Sequence, residues 1–461
     1  MDEPRHLKVG ETLASEGGAS SSEEILELRY GVDDRPSFLP SILFGLQHVL
    51  IMFSAMIVTP LVVGQMLDLS AELRSVMFAG VMLGCGIGTV ISALGVSWIG
   101  ARLPLLLGSY TLYIGPIVAI GKTQGLGAAT AAMLTGGLML MALSLVIGKI
   151  RALFPPVVIG ILLVVTGLSL MKIATNVALG TNTPYFGKPI TIVFLIGSVV
   201  LIGFIANLQN KLLRSLSVLI SVAILYAVGI TMGLANFDAV GTAPWFRLPT
   251  FLPYGIGWPN SGALSTILID HLVAAIYTMS IALALCGMLG IDQPARRVRG
   301  AVAGDGLGSV IAELFGGVSL ISYDQNVGAI TLTGVASRFV VATAGGILIA
   351  MAFFPKLGAA IGMIPPFLLG GALLFMFGMI VVVGVKILST TPLGQRDILL
   401  IAISVGLSMI TNFAPASVFD TLSPSIKIFA SDGIVVGTLA AILLNMALPS
   451  EVKAARMTAN K

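Results

Sequence analysis

The sequence predicts an all-α polytopic membrane protein with fourteen transmembrane segments, arranged as two inverted repeats of seven. Three observations lead to this fold class: an apolar composition, apolar windows along almost the whole chain, and two irregular segments about half a chain apart. Of the 461 residues, 56% are hydrophobic and only 10% are charged. A soluble domain carries about 25% charged residues. Lipid must therefore surround most of this chain, which argues against a soluble enzyme or a nucleic-acid-binding protein.

Apolar windows near the length of a spanning helix define most of the segments. Two further apolar segments, 103–120 and 319–337, are rich in Gly, Ser, Thr and Pro and too irregular for plain helices. Counting both as crossings gives fourteen. The regular windows are 38–65, 76–97, 127–147, 152–173, 189–207, 213–233, 263–288, 300–317, 339–354, 360–385, 396–412 and 430–448.

The distribution of Lys and Arg tests this count. With the N-terminus inside, fourteen of these residues fall in cytoplasmic segments and seven in outer segments, leaving out the N-terminal tail. Cytoplasmic loops of membrane proteins carry such an excess of positive charge. The sequence therefore predicts a multi-pass protein of the inner (cytoplasmic) membrane with both termini in the cytoplasm.

A repeated Pro-Pro sequence divides the chain into halves. Phe154-Pro-Pro-Val-Val-Ile-Gly160 opens the fifth span, and Ile364-Pro-Pro-Phe-Leu-Leu-Gly370 opens the twelfth. Seven is an odd number, so the second half must enter the membrane from the opposite side. Inverted repeats are typical of transporters, in which broken helices meet at the bilayer midplane and form the substrate site.

The two irregular segments indicate where that site lies. Unpaired backbone in hydrocarbon costs several kcal/mol per group, so such backbone survives only against protein or a polar ligand. Each segment predicts a short extended piece followed by a half-helix, whose N-terminus offers free N–H groups. Gln325 and Asn326 add paired donors and acceptors suited to a planar amide or imide edge.

A specific motif follows in the second irregular segment. The sequence Gln325-Asn-Val-Gly-Ala-Ile-Thr-Leu-Thr-Gly334 resembles the signature of the nucleobase–ascorbate transporter family, which includes the xanthine/uracil permeases. That signature is Gln/Glu/Pro, Asn, any residue, Gly, four of any residue, Thr, then Arg, Lys or Gly. Gln47-His48 in the first span, Ala303-Gly-Asp-Gly-Leu307 and the first Pro-Pro sequence extend the resemblance from about residue 38 to 448.

The resemblance implies import of a nucleobase by proton symport, with the proton gradient as driving force and no cofactor. It also implies alternating access and a homodimer. Gln at the first signature position resembles the xanthine and uric acid carriers, whereas uracil carriers tend to have Glu there. The expected partners are thus a small-molecule nucleobase, protons, the lipid bilayer and a second copy, with no nucleic acid.

The resemblance further implies a division into a substrate-carrying core domain and a gate domain. Spans 1–4 (37–148) and 8–11 (263–356) belong to the core, and spans 5–7 (149–235) and 12–14 (357–448) belong to the gate. The remaining residues are a disordered cytoplasmic tail, an extracytoplasmic loop and a C-terminal cytoplasmic tail, predicted at 1–36, 236–262 and 449–461.

The sequence departs from the family at one position that bears on mechanism. Relatives usually carry a Glu in the middle of span 8, and the matching place is predicted at Leu283 or Ala284, where there is no carboxylate. Asp324 directly precedes Gln325, where relatives usually have a small residue. We expect Asp324 to take the place of the missing Glu, binding a ligand N–H or carrying the coupled proton.

Ionisable groups inside a membrane are expensive and therefore functional candidates. Glu313 is expected near the outer surface, and Asp270 and His271 in the outer vestibule. Capping of the half-helix, packing of the aromatic rings and a structural role for the acids are the alternative readings. The candidates for substrate binding are Gln325, Asn326, Asp324, Tyr110, Thr111, Tyr277 and Ala284, with Tyr113 as a further aromatic. The candidates for proton coupling or for organising the site are Asp305, His48 and Asp324.

Several other functions stay open at this point. The chain is compatible with a carrier of uracil, another pyrimidine or another heterocycle, or with an uncoupled facilitator because the span 8 Glu is missing. An anion carrier of related fold is less compatible with the Gln325-Asn326 pair. An intramembrane enzyme would need a nucleophile–base pair or metal ligands at membrane depth, and the sequence offers neither.

Overall fold

The computed structural model describes residues 5–7, 26–150, 154–181, 183–234, 238–291 and 293–448. These residues form α-helices joined by short turns, with four three-residue strands. The strands are β1 (Arg5–Leu7), β2 (Leu26–Leu28), β3 (Leu107–Ser109) and β4 (Leu320–Ser322). The helices are α1 (Phe38–Met66), α2 (Ala71–Leu94), α3 (Ile114–Gln124), α4 (Leu126–Ser144), α5 (Ile147–Ile150), α6 (Pro156–Ala178), α7 (Pro189–Ala206), α8 (Lys211–Ser215), α9 (Ser217–Thr231), α10 (Asp238–Thr242), α11 (Ser261–Met288), α12 (Pro294–Leu314), α13 (Gln325–Thr333), α14 (Arg338–Ala352), α15 (Pro355–Gly362), α16 (Gly370–Ser389), α17 (Gln395–Phe413), α18 (Pro424–Ala430) and α19 (Gly433–Ala447).

The helices make this a multi-pass membrane protein. Within the described part of the chain, eight helices are long and apolar enough to cross a membrane, and α14 with α15 gives a ninth if that bent pair is one span. Every one of the twelve predicted apolar windows contains a helix. The eight are α1, α2, α4, α6, α7, α11, α16 with the turn before it, and α17.

The helices in the four remaining predicted windows are too short or too polar to count as membrane spans by length and composition. Helices α9, α14 and α19 have 15 residues each, which is less than the roughly 20 residues that span a bilayer. Helix α12 has 21 residues but carries Arg296, Arg297, Arg299, Asp305 and Glu313. It is therefore too polar to qualify by composition.

The second Pro-Pro sequence opens a span at Pro366, as predicted, but the predicted window begins too early. The window 360–385 is not one helix: α15 ends at Gly362, a 3-10 turn covers Pro366–Leu369, and α16 begins at Gly370. Proline lacks the N–H that continues a helix and fixes the backbone before it. The first Pro-Pro pair has a simpler effect, since Pro156 is the first residue of α6.

The helices pack in two groups around close glycine contacts. In one group, α2 lies against α12 and α14, and α12 lies against α4; in the other, α6 lies against α16, and α17 against α19. A Cβ added at Gly84 of α2 would come within 2.7 Å of the Cα of Ala312 in α12. Such small residues let membrane helices approach closely. The predicted core and gate boundaries remain predictions.

The two irregular segments meet in the interior. Strands β3 and β4 pair antiparallel, with Gly108 opposite Ile321, and both strands are fully buried. Helix α3 follows β3 after a 3-10 turn, and α13 follows β4. The prediction of an extended piece followed by a short helix in each segment is confirmed. Gly108 lies under the ring of Tyr323, where a Cβ would overlap the ring.

Part of the predicted disordered tail is ordered. The backbone N–H groups of Arg29 and Tyr30 donate to the carbonyl of Gly334, which ends α13, and Arg338 forms an ion pair with Asp33 at 2.6 Å. Helix C-termini leave carbonyl groups that need such donors. The prediction was therefore wrong for residues 29–34. Residues 8–25 of that tail, and the predicted C-terminal tail 449–461, lie outside the described residues.

Replacing Gly84 with Val should destabilise the protein. The added side chain overlaps Ala312, and overpacking of a filled interior typically costs about 1–3 kcal/mol. We expect a lower thermal midpoint in detergent and a lower folded yield. Gly346→Val is the matched control, because nothing lies within 4 Å of a Cβ at that position of α14. Equal midpoints for the two variants would contradict the packing described here.

Candidate ligand-binding site

A cavity of about 520 Å³ opens beside the β3–β4 pair. One wall comes from α1, the segment after β3, α11 and the start of α13; the other comes from α7, α8, α9 and α16. That volume falls in the range of small-molecule sites. The polar lining consists of Ser54, Ser109, Tyr110, Thr111, Arg214, Ser215, Ser217, Tyr277, Tyr323, Asp324 and Gln325, and α16 contributes an apolar wall of Phe375, Met376, Phe377, Met379, Ile380 and Val383.

Five of the predicted substrate-binding residues lie together in this lining. Asp324 is the residue before α13, and Gln325 is its first residue, with a side chain exposed to the cavity. Tyr110 and Thr111 come from the turn after β3, and Tyr277 comes from α11. The strand pairing explains this grouping, because it holds the two broken segments side by side.

Two tyrosine rings form an aromatic face next to the carboxyl group. The rings of Tyr110 and Tyr277 stack with centroids 5.8 Å apart and planes 15° apart. The hydroxyl of Tyr277 lies beside the Asp324 carboxyl group. A planar ligand between this face and the start of α13 would meet aromatic surface and hydrogen-bonding groups together.

Asn326 does not line the cavity. It is completely buried, its Oδ1 lies 3.0 Å from His48 Nδ1, and its Nδ2 donates to the carbonyl of Pro104. Since the amide oxygen is the acceptor, His48 Nδ1 donates, and His48 Nε2 has no hydrogen-bond partner among the described residues. The amide assignment follows from this network. The pair joins α1, α13 and the segment before β3. Asn326 and His48 therefore hold in place the three segments around the site.

Asp305 anchors strand β4. Its side chain is 2% exposed and accepts three hydrogen bonds: from the Ser322 backbone N–H at 2.9 Å, from the Ser322 hydroxyl at 2.7 Å and from the Thr278 hydroxyl. The carboxyl group thereby ties α12 to β4 and to α11. Sequence reasoning missed Thr278 and Ser322 as partners of Asp305; the Ser, Thr and Gly content of the segment 319–337 was the only local signal, and it did not point to Thr278.

Of the two span 8 residues predicted at the ligand, Tyr277 lines the cavity and Ala284 does not. Ala284 is exposed and Leu283 is partly exposed, and neither lines the cavity. The residue of α11 that reaches the cavity is Tyr277, two helical turns earlier. The cavity crosses α11 near its middle, whereas Ala284 lies in the last turns before the helix ends at Met288.

The acids and the histidine expected at the outer surface are buried. Asp270 and His271 are 0% exposed and Glu313 is 2% exposed. His271 Nδ1 lies 2.8 Å from the Ile267 carbonyl, its Nε2 lies 3.1 Å from the Ser319 hydroxyl, and that hydroxyl donates to Glu313 at 3.3 Å. The expectation of a surface or vestibule position was therefore wrong for all three in this structure.

Comparison with known proteins identifies the family. Residues 40–417 match the sequence model of a permease family. The uric acid permease PucJ of Bacillus subtilis is 33% identical over 87% of this chain and 91% of its own. The xanthine permease of the same organism is 29% identical over 89% and 94%. Murine Slc26a9, an anion transporter solved in the inward-facing state, matches with TM-score 0.60 and 13% identity over 90% of this chain and 69% of its own.

A cavity between two broken membrane segments is the arrangement of a small-molecule carrier. The likeness to Slc26a9 extends to the fold alone. The match to the permease family covers most of the chain, and the signature segment lies at the cavity. The chain therefore belongs to the nucleobase–ascorbate transporter family, the xanthine/uracil permeases, and is a transporter rather than an enzyme.

Replacing Asp305 with Ala should remove the hydrogen bonds that hold β4 against α12. The Ser322 N–H, the Ser322 hydroxyl and the Thr278 hydroxyl would lose their acceptor, and each unsatisfied buried group costs about 1–3 kcal/mol. We expect a marked drop in thermal midpoint together with loss of ligand binding. Asp420→Ala serves as the control, because Asp420 is exposed and pairs only with exposed Lys427. An Asp305→Ala protein as stable as the Asp420→Ala protein would show that β4 does not depend on this anchor.

Proposed function

We propose that this permease imports a purine of the xanthine or uric acid type together with a proton, by alternating access across the inner (cytoplasmic) membrane. The observation that carries the proposal is the meeting of Asp324, Gln325 and the Tyr110–Tyr277 face in one cavity. The relatives compared above include a uric acid permease and a xanthine permease, which supports an oxidised purine as substrate.

The recognition that we propose follows from the chemistry of the lining. Oxidised purines carry imide edges on which N–H and C=O groups alternate. The Gln325 amide has both donors and an acceptor, and the Asp324 carboxylate accepts hydrogen bonds only. An N–H facing Asp324 with a C=O facing the Gln325 amide would pair every group on such an edge, while Tyr110 and Tyr277 contact the ring plane.

In the proposed topology, the chain crosses the membrane fourteen times in two inverted repeats, with both termini in the cytoplasm. The antiparallel pairing of β3 with β4, each followed by a short helix, supports the relation between the halves. The cavity also extends to Arg214 and Ser215 of the short helix α8, which this topology places on the cytoplasmic side. We propose accordingly that the conformation is inward-facing, and that two copies form a homodimer.

In the proposed cycle, the helix group that carries β3 and β4 moves against the group that carries α16. The cavity lies between these groups, as alternating access requires. Asp324 binds the ligand edge, and Asp305 and His48 keep the two broken segments in register. The proton gradient supplies the driving force, and no cofactor takes part.

Uptake of labelled xanthine in cells without their own purine carriers tests the function. We expect saturable uptake that unlabelled xanthine and uric acid block, that uracil leaves unchanged, and that falls when the pH gradient is collapsed. Block by uracil would favour a pyrimidine carrier. Uptake that stays the same when the pH gradient is collapsed would favour a facilitator. No uptake of any labelled nucleobase, with inorganic anions transported instead, would contradict the proposal.

Filling the cavity from α13 should abolish binding without unfolding the protein. Gly328 lines the cavity, and a Cβ there has no atom within 4 Å. Gly328→Leu should therefore place a side chain where the ligand lies and lower xanthine uptake at least tenfold at unchanged thermal midpoint. Gly287→Leu on α11, which is equally open but lies away from the cavity, should transport normally. Normal uptake by Gly328→Leu would show that the ligand lies elsewhere.

A further inference from the structure

One carboxyl group in the membrane region is buried without a hydrogen bond. Asp270 of α11 is 0% exposed, and neither of its carboxyl oxygens has a hydrogen-bond partner among the described residues. The other acids of the interior differ. Asp305 accepts three hydrogen bonds, Glu313 accepts one from Ser319, and Asp324 reaches the cavity. The transport site described above makes no use of Asp270.

The neighbours of Asp270 do not neutralise it. Tyr113, in the turn after β3, lies near it, but the buried Tyr113 hydroxyl also has no hydrogen-bond partner in the described residues. Asp432 lies near enough to repel a charge on Asp270, and its side chain accepts from the first N–H groups of α19. His271, next to it on α11, is bonded to the Ile267 carbonyl and the Ser319 hydroxyl.

The other helices packed against α11 offer Asp270 no partner either. The two acids of α12 are bonded as described above. Helix α18 carries Lys427, which is exposed and paired with Asp420. Helix α3 has Lys122 in its last turn, and α4 has no charged residue.

Burial without a hydrogen-bond partner decides the protonation state of the Asp270 carboxyl group. A carboxylate removed from water without hydrogen bonds or a cation is strongly disfavoured, and a nearby carboxylate adds repulsion. A carboxylic acid in the same place carries no net charge and therefore costs far less to bury. In the conformation described here, Asp270 therefore holds a proton.

The position of Asp270 relates that proton to the transport cycle. It lies two turns from Tyr277 toward the start of α11, about 10 Å along the helix. The start of α11 packs tightly on α18, and Gly262 touches the backbone of Ser425 so closely that a Cβ has no room. In the proposed topology, the ligand cavity extends toward the opposite, cytoplasmic side, to Arg214 and Ser215 of α8. Asp270 thus lies on the closed side of the molecule.

We propose that Asp270 is the residue that binds the coupled proton. The inference rests on the proposed symport and assigns it a site apart from the ligand cavity. When α11 separates from α18 and α19, Asp270 meets outer water, and its carboxylate takes up a proton to form a carboxylic acid. Only the neutral acid can be buried again, so closing of the outer side carries a proton inward with the ligand.

Tyr113 and Tyr110 lie near Asp270, and Tyr110 also lies near Asp324 at the cavity. The Tyr113 hydroxyl has no hydrogen-bond partner among the described residues in this conformation, so in the proposed release step these groups come into hydrogen-bond distance only as the helices move. The acid then gives its proton to the Tyr113 oxygen while each hydroxyl passes on its own proton, so no charge stays on a phenol. Asp324 receives the proton and delivers it to the inner water. The buried carboxylate left at position 270 destabilises the closed outer side and favours return.

Two transport assays on the full-length protein in proteoliposomes test this proposal. Asp270→Asn keeps the shape of the neutral acid but cannot exchange a proton. We expect xanthine exchange at equal pH to stay within about twofold of wild type, while accumulation driven by a pH gradient falls to the equilibrium level. Tyr113→Phe should also lower accumulation more than exchange. Asp397→Asn, at the start of α17, is the control and should retain both.

The outcomes separate this inference from the proposed function. Accumulation by Asp270→Asn equal to wild type would overturn the inference. If Asp270→Asn lost exchange as well, Asp270→Glu should restore accumulation, and failure to do so would assign Asp270 a structural role only. An infrared band of a protonated carboxyl group at neutral pH, lost in Asp270→Asn, is expected even if wild type transports no purine. Absence of that band would also overturn the inference.

Discussion

The antiparallel contact between β3 and β4 is the interaction on which the site depends. Three residues from each irregular segment pair in the middle of a helical membrane protein and satisfy each other's backbone groups, which lipid cannot do. The pairing brings together segments that lie far apart in the sequence. Because α13 begins three residues after β4, and the turn before α3 begins two residues after β3, the pairing also sets where Tyr110 and Gln325 stand.

Buried polar side chains hold the two strands in place. Asp305 holds β4 through three hydrogen bonds, and Asn326 with His48 holds the approach to β3. Asp305 and Asn326 make their hydrogen bonds within the protein and do not line the cavity, and neither does His48. Asp324 and Gln325 keep their polar ends toward the cavity, and Asp270 has no partner at all. The residues that hold the strand pairing are thus different from those that line the cavity, and Asp270 belongs to neither set.

Local patterns in the sequence predicted the elements better than their contacts. Apolar windows and the signature motif located the helices and the start of α13, because both signals are local. Such signals did not fix the helical face of span 8, so both Tyr277 and Ala284 were predicted at the site, and only Tyr277 lines the cavity. Burial of Asp270 and docking of residues 29–34 on Gly334 depend on distant segments. The composition of these segments does not show which distant residues they contact.

A structure with xanthine bound tests the central claim most directly. The account predicts the ring plane against Tyr110 and Tyr277, with one polar edge within hydrogen-bond distance of Asp324 and Gln325. It also predicts no contact between the ligand and Asn326 or Asp305. Xanthine bound directly to the amide of Asn326, or in a cavity away from the β3–β4 pair, would contradict it.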